Sequence, residues 1–74
     1  MPEGIRLSWN RDHEGVITIY ATDLNTGRVA DVADLWVKPM CDRLNFRREY
    51  ALSVQQCVAE TLCEAWNERE AADA

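Results

Sequence analysis

The chain has 74 residues, a hydrophobic fraction of 47% and a net charge of −5. This length allows one small domain, and the apolar content excludes global disorder. No stretch approaches the roughly 20 apolar residues that a membrane-spanning helix requires. The acidic balance disfavours a nucleic-acid-binding protein, which usually carries a net basic field. A core of this size rarely supplies more than about 3–5 kcal/mol without metals, disulfides or oligomerisation, so a second buried surface would matter.

The N-terminal half predicts a three-stranded antiparallel meander. Apolar and polar residues alternate over residues 5–9, which indicates a half-buried strand. Residues 16–22 are rich in β-branched and aromatic residues, which fit a pleated sheet. The segment Asp23–Gly27 is a turn of hairpin type, and we therefore expect a third strand over residues 28–35. Apolar residues in this last segment are also spaced for a helix, which is the alternative.

One long amphipathic helix, packed on this sheet, is predicted over residues 46–70, where the sequence has neither Gly nor Pro. Asp42 or Asn45 is the expected N-cap of the helix. Together these elements predict an α+β domain of βββα order. On a helical wheel two apolar arcs lie side by side. The arc that we expect to pack on the sheet consists of Phe46, Tyr50, Val54, Cys57, Val58, Thr61 and Ala65.

The second arc is the predicted partner or dimer interface. A single three-stranded sheet does not readily cover both arcs, and small residues beside large ones allow close approach of another helix. Tryptophan is also over-represented among the residues that dominate binding energies at interfaces. We therefore expect a homo-oligomer, or a complex with another protein, through this face of the helix. Its residues are Leu52, Ala59, Leu62, Cys63 and Trp66.

Charge is unevenly distributed along the chain. Residues 38–48 hold four basic residues and one acid, and Arg43, Arg47 and Arg48 are candidate contacts for an anion or a nucleic acid. In an acidic protein such a cluster more often pairs with carboxylates than with phosphate. Residues 59–74 hold five acids and one arginine. The predicted acidic surface consists of Glu60, Glu64, Glu68 and Glu70.

Residue types that serve catalysis and metal binding do not form a recognisable site. Cys57 and Cys63 are six residues apart on one helix, so we interpret the cysteines as small buried hydrophobic residues and expect no metal or other cofactor. His13 is the single histidine and lies in a polar turn with Asp12 and Glu14, which does not predict an enzyme. An odd number of cysteines without an N-terminal leader favours a cytoplasmic protein with reduced thiols and no membrane association.

Three functions agree with these features. The first, which we prefer, is a small non-enzymatic interaction module that regulates or inhibits a partner protein, with a homodimer forming through the C-terminal helix. The second is an acidic decoy that presents carboxylates where a nucleic acid presents phosphates, as a phage-encoded, anti-CRISPR-like inhibitor of a host nucleic-acid-handling complex would. The third is a nucleic-acid binder that uses residues 38–48.

Overall fold

A computed structural model describes the backbone of residues 4–73 and the side chains of residues 4–69. The strands form one antiparallel sheet in the order β1-β2-β3, and a long helix packs on it. This architecture confirms the predicted α+β class, and the third segment is a strand rather than a helix. The elements in chain order are β1 (Ile5–Arg11), β2 (Ile17–Asp23), β3 (Val29–Leu35), α1 (Lys38–Leu44) and α2 (Arg48–Asp73).

Helix α1 is an element that the sequence pattern does not predict. Pro39 lies in its first turn, where the missing backbone N–H has no intrahelical partner to lose. Asn45, an expected N-cap of the long helix, instead ends α1 in the left-handed conformation with φ of 58°. Asp42, the other expected cap, pairs with Lys38 at 2.7 Å. Helix α2 therefore begins two residues later than predicted and continues to Asp73.

Carboxylates at strand ends fix the two turns of the sheet. Asp12 accepts the backbone N–H groups of Glu14 at 2.8 Å and Val16 at 3.0 Å. The hydrogen bond from Val16, followed by the one from Glu14, holds the pKa of Asp12 below its ordinary 3.8 against an opposing effect of desolvation. In the β2–β3 turn, Asp23 accepts the N–H of Asn25 at 2.8 Å. Both turns use the Asx geometry that favours Asp at a turn's first position.

The core lies between α2 and the inner face of β1 and β2. Ile17 and Ile19 of β2 are fully buried, and partly buried Leu7, Trp9 and Leu35 pack around them. Small residues and one amide form the buried stripe of α2, and they recur every four positions on one face. Because these side chains are short, the helix backbone approaches the sheet closely. The stripe consists of Ala51, Gln55, Ala59 and Cys63.

Burial contradicts the assignment of the two helical arcs. Ala59 and Cys63, which we predicted at a partner interface, are 0% and 6% exposed and belong to the core. Tyr50 and Val58, which we predicted in the core, are 58% and 47% exposed. The sheet therefore packs on the arc that we assigned to a partner, because small side chains permit the closer approach.

The other members of the predicted interface divide in the same way. Leu52 is half-buried, and the indole of Trp66 donates to the Ile5 carbonyl at 2.7 Å. Leu62 stays 46% exposed. Within the described residues, neither helix is long and apolar enough to cross a membrane.

Candidate functional site: the two edges of the sheet

Gln55 is a buried amide that ties three elements to α2. Its Nε2 donates to the carbonyls of Gly15 and Leu35, both at 2.7 Å. Its Oε1 accepts from Arg11 Nε at 3.3 Å and Nη2 at 3.2 Å, and Arg11 also donates to the Leu52 carbonyl at 3.1 Å. The amide thereby uses both of its donors and both of its acceptor positions. Gln55 fixes where α2 lies on the sheet, and thus what the helix leaves uncovered.

Side chains of α2 cover the outer edge of β1 at Ile5 and Leu7. The amide of Asn67 accepts the N–H of Leu7 and donates to the carbonyl of Leu7, both at 2.9 Å. The indole N–H of Trp66 donates to the carbonyl of Ile5, which lies two residues before Leu7 on the same edge. These contacts satisfy backbone groups that a neighbouring strand would otherwise pair with. An incoming strand would have to displace α2 to reach this edge.

The outer edge of β3 is treated differently. Within residues 4–73, no strand pairs with it, and six of the seven β3 residues are exposed. The backbone N–H and C=O groups of Leu7 point away from β2. The corresponding groups of its partner Ala21 therefore point toward β3, and those of Ala30, the partner of Ala21, point toward β2. Since backbone directions alternate along a strand, Val29 and Asp31 turn their N–H and C=O groups to the unpaired edge. We call this edge the open edge of β3.

An apolar groove runs beside the open edge. Because α2 lies over β1 and β2, it leaves the inner face of β3 uncovered. At one end, a cavity of about 260 Å³ is lined by Trp36, Val54 and Val58 with neighbouring residues. We call the uncovered inner face of β3, together with the α2 residues at this end, the β3 groove; it comprises Ala30, Ala33 and Leu35 of β3 with Val54 and Val58 of α2.

The outer face of β3 carries two acids. Asp31 lies opposite Tyr20 and Asp34 lies opposite Thr18, whose hydroxyl donates to the Asp34 carboxylate at 3.1 Å. Between these pairs the register shifts, and Val32 is the extra residue of a β-bulge. Strand β3 therefore presents carboxylates on its outer face and small apolar residues on its inner face.

The predicted basic residues do not form one patch. Arg43 is exposed in the last turn of α1. Arg47 and Arg48 follow each other where α2 begins and point about 100° apart. The guanidinium of Arg48 contacts the β1–β2 turn, where it donates to the Glu14 carbonyl at 3.4 Å. A cleft of about 390 Å³ lies here between Arg48 and Lys38, and the pKa of Lys38 is raised, chiefly by its hydrogen bond to Asp42.

The structure describes the side chains of three of the four residues in the predicted acidic surface. Glu60, Glu64 and Glu68 recur every four residues on the side of α2 away from the sheet, and Glu60 accepts the amide of Gln56 at 2.8 Å. The side chain of Glu70 lies outside the described residues. The three carboxylates follow one line along the helix.

The three cysteines occupy different environments. Cys57 is exposed, Cys41 is half-buried and Cys63 is buried, and all are free thiols. The prediction of buried cysteines is therefore confirmed for Cys63 and wrong for Cys57, which lies on the side of α2 away from the sheet. Burial raises the pKa of the Cys63 thiol. Among the side chains that the structure describes, no three His, Cys, Asp or Glu residues come together as a metal site would require.

The geometry of the described residues defines an α+β protein with one three-stranded sheet, a short and a long helix, one sheet edge covered by α2 and one open edge. Comparison of the chain with protein-family models, with curated proteins and with solved structures finds no match. Function is therefore inferred from the contacts of the chain itself.

Proposed function

We propose that the protein is a small non-enzymatic interaction module that regulates or inhibits a partner protein by accepting an extended segment of that partner at the open edge of β3. The observation that supports this is the asymmetry between the two sheet edges. Asn67 and Trp66 occupy the β1 edge, whereas β3 leaves backbone donors and acceptors available. Adding a strand to such an edge is a recurring mode of peptide recognition, in which backbone hydrogen bonds supply affinity and side-chain pockets supply specificity.

Exposed apolar side chains beside the edge support a protein partner. Val58 of α2 is 47% exposed and lines the β3 groove, and Leu62, one helical turn further, is 46% exposed. Exposed apolar surface of this kind on a small protein commonly marks an interaction site. We propose a cytoplasmic location, which the three unpaired cysteines support.

The surroundings of three ionisable groups support a non-enzymatic role. The pKa is lowered for Asp12 in a turn, and raised for Lys38 in a surface ion pair and for Cys63 in the core. Catalysis requires such groups to converge in one pocket. These three are instead held apart by the fold.

Charge favours a different protein over a second copy of this chain. The net charge of −5 makes two copies repel, whereas it attracts a basic partner.

Selection from a displayed library of random peptides tests the proposed function. We expect enrichment of extended, proline-poor sequences that shift backbone amide resonances of β3 and of the α2 flank. Asp31→Pro removes an N–H at the open edge without removing a hydrogen bond to β2, so binding should weaken about tenfold or more. Asp31→Ala is the matched control, because it removes the same carboxylate and keeps the N–H. Resonance shifts confined to other surfaces, or equal binding by both variants, would contradict the proposal.

An acidic decoy is the second candidate, and the line of Glu60, Glu64 and Glu68 supports it. Carboxylates one turn apart on α2 are spaced by about 6 Å along the axis, which suits a row of basic side chains. If the decoy function is correct, changing all three to Gln should abolish competition with DNA for a basic nucleic-acid-binding protein and leave peptide binding at β3 intact. Competition that persists in this triple variant would exclude the decoy.

A further inference from the structure

The two faces of β3 differ in size and charge. Ala30 and Ala33 on the inner face are small and exposed, whereas Asp31 and Asp34 on the outer face carry carboxylates. Successive residues of any strand point to opposite faces. A segment that pairs with β3 therefore presents every second side chain to the β3 groove and the others to the two acids.

The inner face has room for large apolar side chains. The alanines rise little above the sheet, and Val58 of α2 lines the Leu35 end of the groove with about half of its surface exposed. A branched or aromatic side chain opposite an alanine would contact the strand below it. The β3 groove therefore favours apolar side chains that are larger than those of Ala30 and Ala33.

The outer face favours basic side chains. Among the described residues, neither Asp31 nor Asp34 forms a salt bridge, and the Asp34 carboxylate accepts the hydroxyl of Thr18. Opposite charges directly across a strand pair are favourable and like charges are unfavourable. The net charge of −5 adds a long-range attraction for a basic segment.

The bulge sets the spacing of these basic residues. Asp31 and Asp34 are three apart on β3, yet they lie opposite Tyr20 and Thr18, which are two apart on the regular strand β2. A regular strand on the open edge meets the same bulge. Its side chains opposite the two acids would therefore also be two residues apart.

We infer that the segment bound at the open edge alternates apolar and basic residues, with two basic residues at positions i and i+2 facing Asp31 and Asp34 and apolar residues between and beside them in the β3 groove. This inference rests on the proposed function and specifies the chemistry of the partner. It commits the site to an extended basic segment of another protein.

Fluorescence anisotropy with three labelled peptides tests the inference. One peptide alternates valine and lysine, one alternates valine and glutamate, and one has the composition of the first with its lysines contiguous. The protein should bind the alternating valine–lysine peptide about tenfold or more tightly than either other peptide. Asp31→Lys combined with Asp34→Lys should reverse the preference to the valine–glutamate peptide. Glu14→Lys combined with Glu49→Lys makes the same change in net charge at exposed positions outside β3 and should preserve the original preference.

Three results would overturn the inference. Equal binding of the alternating and contiguous lysine peptides would show that charge alone attracts them. An unreversed preference in the Asp31 and Asp34 double variant, or a reversal in the Glu14 and Glu49 control, would place the basic contacts elsewhere. If library-selected peptides still map to β3 in that case, the inference fails and the proposed function stands. If their amide shifts lie outside β3 and the α2 flank, both fail.

Discussion

Replacement of Gln55 by leucine should destabilise the protein by about 2–4 kcal/mol. The carbonyls of Gly15 and Leu35 would each lose a donor that now lies at 2.7 Å. A buried polar group left without a partner costs about 1–3 kcal/mol, and burial of the leucine side chain offsets part of the sum. Arg11 would lose its hydrogen bonds to Gln55 but keep the one to the Leu52 carbonyl, so it would not be left without a partner.

Urea unfolding followed by far-UV circular dichroism measures this change. Gln56→Leu is the matched control, since Gln56 is the next residue on α2 and its amide bonds to Glu60 on the solvent side. The control should change the free energy of unfolding by less than about 0.5 kcal/mol. Because a chain of this size has about 3–5 kcal/mol of stability, Gln55→Leu should be partly unfolded before urea is added. Equal midpoints for the two variants would refute the role of Gln55.

Three further predictions concern single residues. Asn67→Leu removes both side-chain bonds to Leu7 and should cost about 1–2 kcal/mol and speed exchange of the Leu7 amide hydrogen; exchange at the wild-type rate would contradict a closed β1 edge. Asn45→Ala should cost about 1 kcal/mol in thermal unfolding, whereas Asn45→Gly should be neutral or stabilising, because a β-carbon disfavours the left-handed conformation; equal stabilities would argue against strain there. Iodoacetamide at mildly alkaline pH should alkylate exposed Cys57 at least about tenfold faster than Cys63, whose pKa is raised by burial; similar rates by mass spectrometry would mean that the core opens readily.

Local chemistry was sufficient to predict the strands and the long helix. Alternation from Ile5 to Trp9, the Asx turn at Asp23 and a C-terminal segment without Gly or Pro each determine their element within a few residues. The sequence pattern does not predict helix α1, because a proline such as Pro39 occurs in loops as readily as in a first helical turn, where it lies here.

The buried face of α2 could not be chosen by hydrophobicity. Tyr50 and Val58 are more apolar than the alanines at Ala51 and Ala59, yet the alanines are buried because helix–sheet distance favours small side chains. The i, i+4 spacing of Ala51, Ala59 and Cys63 was the signal available in the sequence. It would also have placed Gln55 in the core.

The site itself depends on distant contacts. Gln55 bonds to a carbonyl 40 residues away and Asn67 to one 60 residues away, so a local pattern reads both as surface amides. One edge of the sheet stays open because the sheet is wider than the helix. Three strands spaced about 5 Å apart are wider than one helix with a diameter of about 10 Å. Which strand stays uncovered is decided by the bonds of Gln55 and Asn67.

Amide hydrogen exchange with and without a library-selected peptide tests the open edge most directly. The amide hydrogens of Val29 and Asp31 point to the open edge, and that of Leu7 is bonded to Asn67. We predict fast exchange at Val29 and Asp31 in the free protein, slowed about tenfold or more by saturating peptide, with Leu7 slow in both states. Protection of Val29 and Asp31 before peptide is added, or new protection confined to other elements, would contradict strand addition at β3.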